Sequence, residues 1–289
     1  MSNKALTVSV IIPAYNEERH LMACLKAIAA QTVRPDEVIV VNNNSTDKTA
    51  KVANSYNFVR VVNEKIQGRT AARNTGFNSA KSDILSRIDA DVIIAPDWVE
   101  KLRQAFIDDP ELAATSGLSK SLVVPWLWKW TTTFWTRVYF WESQGYLGIP
   151  VVWGANMGLR RKHWLTIRSE LCLDDEAVHE DQDVSFVLAE HGLITRGTPG
   201  LLVSIDGREY ASGKFFEYFW RERKTKWYHK KRGTFKQVDF RRLPWPSRLK
   251  DIVFSIIPAI GFLLVIIFVM LDNLIRLFRK QPNNFKERY

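Results

Sequence analysis

The chain has 289 residues, 46% of them hydrophobic and 12% aromatic, enough to bury the core of one large domain with an appendage or of two small ones, which excludes an intrinsically disordered chain. Forty-one Lys and Arg against 31 Asp and Glu leave a net charge of +10, a bias suited to nucleic acid, an anionic membrane face or phosphorylated substrates. Two cysteines, Cys24 and Cys172, are too distant for metal-type spacing and read as buried thiols of a reducing compartment.

Residues 1–7 are polar and carry no charged, apolar and cleavage regions in series, so no signal peptide is expected and the body is placed in the cytosol. Residues 8–13 (VSVIIP) form a continuous β-branched run, the pattern of a parallel strand buried on both faces. A helix is expected next, capped by Asn16, opened by Glu17 and Glu18, and carrying Leu21, Cys24, Leu25 and Ile28 at helical spacing. Residues 37–41 (EVIVV) read as a second strand ending on Asn42, Asn43 and Asn44, with Ser45 or Thr46 starting another helix. A third strand over 58–62 precedes Gly68 and a helix with Arg69, Arg73 and Asn74; a fourth runs into Asp89, Ala90 and Asp91.

Such alternation predicts a mostly parallel sheet with helices on both faces, whose ligands lie at the carboxyl ends of the strands. Tyr15-Asn16-Glu17, Asn42-Asn43-Asn44 and Asp89-Ala90-Asp91 each follow a strand directly. Helix capping explains one such loop easily and three poorly. Residues i and i+2 at a strand end point the same way, so Asp89 and Asp91 can aim two hard oxygen ligands at one Mg2+ or Mn2+ carrying a phosphate. A solvated turn is the other reading of that pair.

Beyond the acid pair, 96–106 reads as a helix and 112–116 as a strand. Residues 125–146 hold nine Trp, Phe and Tyr and one acid, Glu142, which suits either an interfacial membrane helix or an aromatic core helix. A strand with a glycine bend is expected over 151–158 and a short helix over 162–168; His179-Glu180-Asp181-Gln182-Asp183 then opens a helix. Residues 208–232 suggest a basic amphipathic helix, with Phe215, Phe216, Phe219 and Trp220 among Arg221, Arg223, Lys224 and Lys226, suited to a membrane surface. Residues 252–271 contain no charge and are long enough to span a bilayer, with a single span favoured over the hairpin that Pro258 and Gly261 permit. The basic charge thus flanks a membrane segment, and no nucleic-acid motif accompanies it.

VSVIIPAYNEE, EVIVVNNNSTDKT, GRTAARNTG, RIDAD and HEDQD, in this order across 7–205, resemble the family-2 nucleotide-sugar glycosyltransferases of GT-A fold. The resemblance implies inverting transfer from a nucleoside diphosphate sugar. It also implies a Rossmann-like catalytic domain over 1–207, with a nucleotide-sugar half (1–117) and an acceptor half (118–207). A basic membrane-proximal segment (208–250), a transmembrane helix (251–272) and a tail (273–289) complete the expected organisation.

By the same resemblance, Pro13, Tyr15, Glu17 and Asn43 hold the nucleoside, and Arg69, Arg73, Asn74 and Ala90 line the donor. Asp89 and Asp91 hold the metal, and Arg221 or Arg223 meets the leaving diphosphate. Gly154 and Asn156 form the acceptor-side wall, Asp181 is the base with Glu180 orienting it, and Asp183 is the alternative base. His179 is either a third metal ligand or an ordinary surface histidine. An acid pair common in the second loop is Asn42-Asn43 here; an amide donates as well as accepts, so the base preference does not carry over.

The expected acceptor is a membrane-associated glycan or glycolipid hydroxyl. Transfer to a polyprenyl phosphate is the alternative, and a non-catalytic membrane-associated nucleotide binder is the alternative of another class. The catalytic side is expected at the cytoplasmic face of the cell (inner) membrane.

Overall fold

The run VSVIIPA is apolar at nearly every position because it forms a strand covered on both faces. This is β1 (Val8–Ala14) in a computed structural model that describes residues 5–121, 149, 151–205 and 215–233. It lies between β2 (Glu37–Asn42) and β4 (Ile84–Ile88), with β3 (Val59–Asn63) beyond β2, all parallel. Val8, Val10 and Ile12 point to one side, where they meet α1 (Leu21–Ala29), α2 (Thr49–Asn54) and α4 (Trp98–Asp108) through Leu25, Ala53 and Leu102. Ile11 points to the other, with Ile39, Leu85, Phe77 of α3 (Arg69–Ser79), Trp164 of α5 (Arg161–Ile167) and Val187 of α6 (Glu180–Glu190). The strand period of two divides one apolar run between two cores. Truncating Ile11 to Ala would therefore cost about 2–5 kcal/mol.

The remaining strands are β5 (Ile93–Ile94), β6 (Leu112–Ser121), β7 (Asn156–Arg160) and β8 (Ile194–Ile205), and the described sheet runs β3-β2-β1-β4-β7-β6-β8-β5. β7 is antiparallel to both β4 and β6, β6 and β8 are parallel, and β5 is antiparallel to β8. Strands β1 to β4 are parallel as expected, but the described sheet as a whole is mixed. β5 and β8 were not anticipated, and the strand expected over 151–158 begins only at Asn156.

Helix starts also differ. Asn16 does not cap α1: it has a left-handed φ of 55°, and its Oδ1 accepts the Thr46 N–H at 2.8 Å, tying the first loop to the second. The Glu17 carbonyl instead accepts the His20 and Leu21 N–H groups. In the second loop Asp47 accepts the Thr49 N–H at 2.8 Å, so α2 starts later than Ser45 or Thr46.

The last described element is α7 (Phe215–Arg232). The aromatic stretch 125–146, the apolar run 251–272, the tail 273–289 and most of the basic segment lie outside the described residues. Among the described residues no helix is long and apolar enough to cross a membrane.

Candidate active site

The site is built at the carboxyl ends of β1, β2 and β4. Pro13 sits in β1 opposite Val41, and beyond it Tyr15 is exposed. Glu17 donates its N–H to Thr49 Oγ1 at 2.8 Å, and its carboxylate meets His20 Nδ1 at 2.8 Å. Asn43, expected to hold the nucleoside, is buried and spends its amide inside the chain. Nδ2 donates to the Glu64 and Ile66 carbonyls at 3.2 and 2.6 Å, while Oδ1 accepts from Gly68 N at 2.9 Å and Gln67 Nε2 at 3.4 Å. Two donors and two acceptor positions exhaust an amide. Asn43 shapes the loop that precedes α3.

That helix starts at Gly68 without a local cap. Asp175, more than a hundred residues away, accepts the N–H groups of Arg69 and Thr70 at 2.7 and 3.0 Å and the Thr70 hydroxyl. A Cβ on Gly68 would stand 2.7 Å from that carboxylate, and its φ of +153° also favours glycine. Arg69 is exposed at the helix start. Arg73, expected to touch the donor, is fully buried: Nε and Nη2 donate to Asn74 Oδ1 at 3.0 and 2.9 Å, and Nη1 donates to the Glu180 carbonyl. In this structure Arg73 and Asn74 hold α3 against the acid helix.

The end of β4 carries the acid pair. Ala90 is buried in the core between them, while the Asp89 side chain is 41% exposed. Two carboxylates at i and i+2, one on each side of a buried alanine, suit a hard divalent cation. Two residues earlier, Arg87 lies buried in the strand and reaches both ways: Nη2 donates to Asp89 Oδ1 at 3.1 Å and Nη1 to Glu180 Oε1 at 3.2 Å. A Cβ on Gly154 would stand 2.6 Å from Nη1, so the glycine makes room for the guanidinium. Gly154 N in turn donates to Asp181 Oδ2 at 2.8 Å.

The acids of α6 separate by direction. Glu180 faces Arg87, while Asp181 faces Gly154 and, through Oδ1, His179 Nδ1. Asp183 is fully buried; its carboxylate accepts the Cys172 N–H at 2.8 Å and pairs with His229 Nε2 at 2.9 Å. Asp183, the alternative base, is thus a structural anchor. Asn156, expected on the acceptor wall, is likewise fully buried. It donates to the Leu118 and Leu201 carbonyls at 3.2 and 3.1 Å and accepts from Trp98 Nε1 at 2.8 Å. His179 is buried rather than on the surface.

Where its side chains are described, α7 meets the start of α6 through polar residues. Gln182 donates to Glu222 at 2.7 Å, His179 N donates to Thr225 Oγ1 at 2.7 Å, and His229 meets Asp183. Glu222, Thr225 and His229 are spaced for one helical face and are buried, whereas Trp220 and Trp227 are 61% and 64% exposed. Arg221 donates to the Asp175 carbonyl, and Arg223 is partly exposed on the same helix.

Electrostatics follow from this crowding. Although its side chain is 41% exposed, partial desolvation at the strand end raises the Asp89 carboxyl, Arg87 opposes it, and with Asp91 and Glu180 adding to the rise it is pushed up to about 6. Burial pulls the His179 imidazole down, but Asp181 and Glu180 outweigh it and lift it to about 9. Burial raises Glu180, yet His179, Arg87, Arg69 and Arg73 together hold it well below the usual carboxylate range. Arg87, Asp175, Glu222 and His229 were not singled out from sequence. Only Arg87 left a local sign, a charge inside an apolar strand two residues before Asp89.

A mixed sheet of this order, with paired acids at the end of β4 and an acid helix joined to them by buried Arg87, defines a GT-A type α/β protein. The chain belongs to glycosyl transferase family 2, whose sequence pattern matches residues 9–166. Among curated relatives, the glycosyltransferase AglE of Haloferax volcanii is 38% identical over 101 residues, 32% of this chain and 33% of its own. YdaM of Bacillus subtilis, named a probable glycosyltransferase, is 28% identical over 240 residues, 76% of this chain and 54% of its own. The chain therefore spans only part of the length of these relatives.

Among solved structures, the mannosyltransferase PcManGT from Pyrobaculum calidifontis superposes with a TM-score of 0.56 at 21% identity, over 76% of this chain and 61% of its own. TarS of S. aureus superposes at 0.52 and 20% identity, over 69% of this chain and 36% of its own. At such identities the likeness is one of fold.

Proposed function

We propose that this chain moves a sugar, with inversion, from a nucleoside diphosphate sugar to a hydroxyl of a membrane-associated glycan or glycolipid. The observation that carries the reading is the meeting of Asp89 and Glu180 on the two arms of Arg87, which joins two motifs distant in sequence at the carboxyl end of the sheet. A donor of this class is supported by the fold neighbour PcManGT, whose structure is in complex with GDP-Man and Mn2+. Asp89 and Asp91 would hold Mg2+ or Mn2+, which offsets the charge of the departing diphosphate. Arg69 and Arg221, which both bond to Asp175, would serve the same phosphates, with Arg223 on the same helix as Arg221 as a further candidate. The uncharged run 252–271 supports attachment to the cell (inner) membrane, and in this reading the site lies on its cytoplasmic face.

In this reading the acceptor oxygen attacks the anomeric carbon opposite the diphosphate, and its proton passes to Asp181. Glu180, held ionised by Arg87 and His179, keeps the start of α6 in place. A second reading draws on the same carboxylate: Asp181 is buried, with one oxygen on Gly154 N and the other on His179. A polyprenyl phosphate acceptor is already anionic and needs no base. Asp181→Asn should abolish transfer to a hydroxyl acceptor and only weaken transfer to a lipid phosphate.

The test is release of nucleoside diphosphate from a panel of nucleotide sugars by the full chain, with Mn2+ or with a chelator. Metal-dependent release that Asp89→Asn loses is the expected result. Nucleotide binding that ignores metal, with no turnover on any donor, would overturn the proposal in favour of a binding protein.

A further inference from the structure

Arg87 reaches both the acid pair and the acid helix. Its side chain is 5% exposed, it lies in β4 between buried Ser86 and Ile88, and its Nε has no hydrogen-bond partner. The two Nη atoms divide between Asp89 Oδ1 and Glu180 Oε1. A planar fork presents its two Nη groups to two carboxylates in a fixed geometry that a lysine ammonium lacks. Gly154 leaves the space the fork occupies, and its own N–H holds Asp181.

A guanidinium at hydrogen-bond distance from Asp89 competes with any divalent cation drawn to the same carboxylate, and two cations this close repel strongly outside bulk water. We infer that Arg87 is the internal counter-cation of the metal site: it holds Asp89 when no metal is there, and Asp89 exchanges it for the metal. This rests on the reading of Asp89 as a metal ligand. Arg87 is then a positioning residue with a second consequence. Its other arm holds Glu180 at the start of α6, so loading of the donor side is coupled to the acceptor side, and such a coupling is reciprocal.

The experiment measures Mn2+ binding to the full chain, without donor, from the paramagnetic resonance signal of free Mn2+. Asp89→Asn should weaken binding; unchanged binding in that variant overturns the metal site itself. Arg87→Gln should tighten binding about tenfold or more, the scale of one neighbouring charge. Damage to the fold would weaken it. Should Arg87→Gln alone fail to fold because Glu180 is left buried and unpaired, Glu180→Gln and Arg87→Gln/Glu180→Gln are compared instead, and the double variant should bind Mn2+ about tenfold more tightly. If Asp89→Asn weakens binding while loss of Arg87 leaves the affinity unchanged or lower in either background, the inference is overturned and the metal site stands.

Discussion

His229→Ala tests whether α7 is packed into the body that carries the sheet. His229 is fully buried, pairs with Asp183 at 2.9 Å and with Glu190 at 3.0 Å, and stacks on Phe186 with ring centroids 4.5 Å apart. Removing it leaves the buried Asp183 carboxylate with the Cys172 N–H alone. Breaking a buried pair from one side costs about 3–5 kcal/mol, and the lost ring stacking adds about 0.5–1.5 kcal/mol. For a body of this size the pair alone corresponds to a fall of roughly 6–20 °C in Tm. Thermal unfolding of the full chain in detergent, followed by circular dichroism, measures it. Replacing both partners, as Asp183→Asn with His229→Gln, should recover much of the loss because no charge is stranded. On the opposite face, Trp227→Ser should stay within about 0.5 kcal/mol. A loss under about 1 kcal/mol in His229→Ala, or a larger one in Trp227→Ser, would refute the seating of α7 by its polar face.

Three further expectations concern the site. Gly154→Ala places a Cβ 2.6 Å from Arg87 Nη1, so transfer should fall on the order of a hundredfold; steady-state rates that stay near wild type contradict the packing. Asp175→Ala removes the remote cap of α3 and should cost about 1–2 kcal/mol in urea unfolding, with protection of the Arg69 and Thr70 amides lost in hydrogen exchange. The pH dependence follows from His179, whose imidazole is lifted to about 9 by Asp181 and Glu180 against the pull of burial. A pKa raised on folding gives stability that is complete below the unfolded value of about 6.5 and disappears as pH rises through the folded value. The urea midpoint of wild type should therefore exceed that of His179→Gln near neutral pH and converge on it above about 9. A gap that is the same at both ends of that window would count against the ion pair.

What was legible in the sequence was what depends on neighbours along the chain. β1 and β2 announce themselves because strands buried on both faces must be apolar at every position, and the acid pair is visible because its two residues share one strand end. β8 was not legible: its first half, Ile194-Thr195-Arg196-Gly197-Thr198-Pro199-Gly200, is largely exposed and lacks both alternation and an apolar run. Asn43 and Asn156 were recognised as special polar residues, but residue type does not reveal how many hydrogen bonds the fold has already claimed. Asp175 and His229 act across 106 and 46 residues, so no local pattern marks them. On α7 the aromatic and basic residues drew notice, whereas over the described side chains, 220–233, the buried residues are polar, Glu222, Thr225 and His229.

The mixed sheet has a consequence for the site that a parallel one would not share. Ligand-binding loops in a parallel sheet all follow the strands, so β7 laid parallel to β4 would bring the residues after Arg160 to the acid pair. β7 runs the other way, with Asn156 beside Ile88 and Arg160 beside Ile84. The loop that enters β7 therefore meets the loop that leaves β4, and Gly154 arrives against Arg87 with its N–H turned to Asp181. Asn156 secures that entry point with bonds to the Leu118 and Leu201 carbonyls and to Trp98, so its burial is what keeps the glycine in position. The reversal of one strand places Gly154 beside Arg87, which also bonds to Asp89, and it explains why residues committed to the fold lie immediately beside the acid pair.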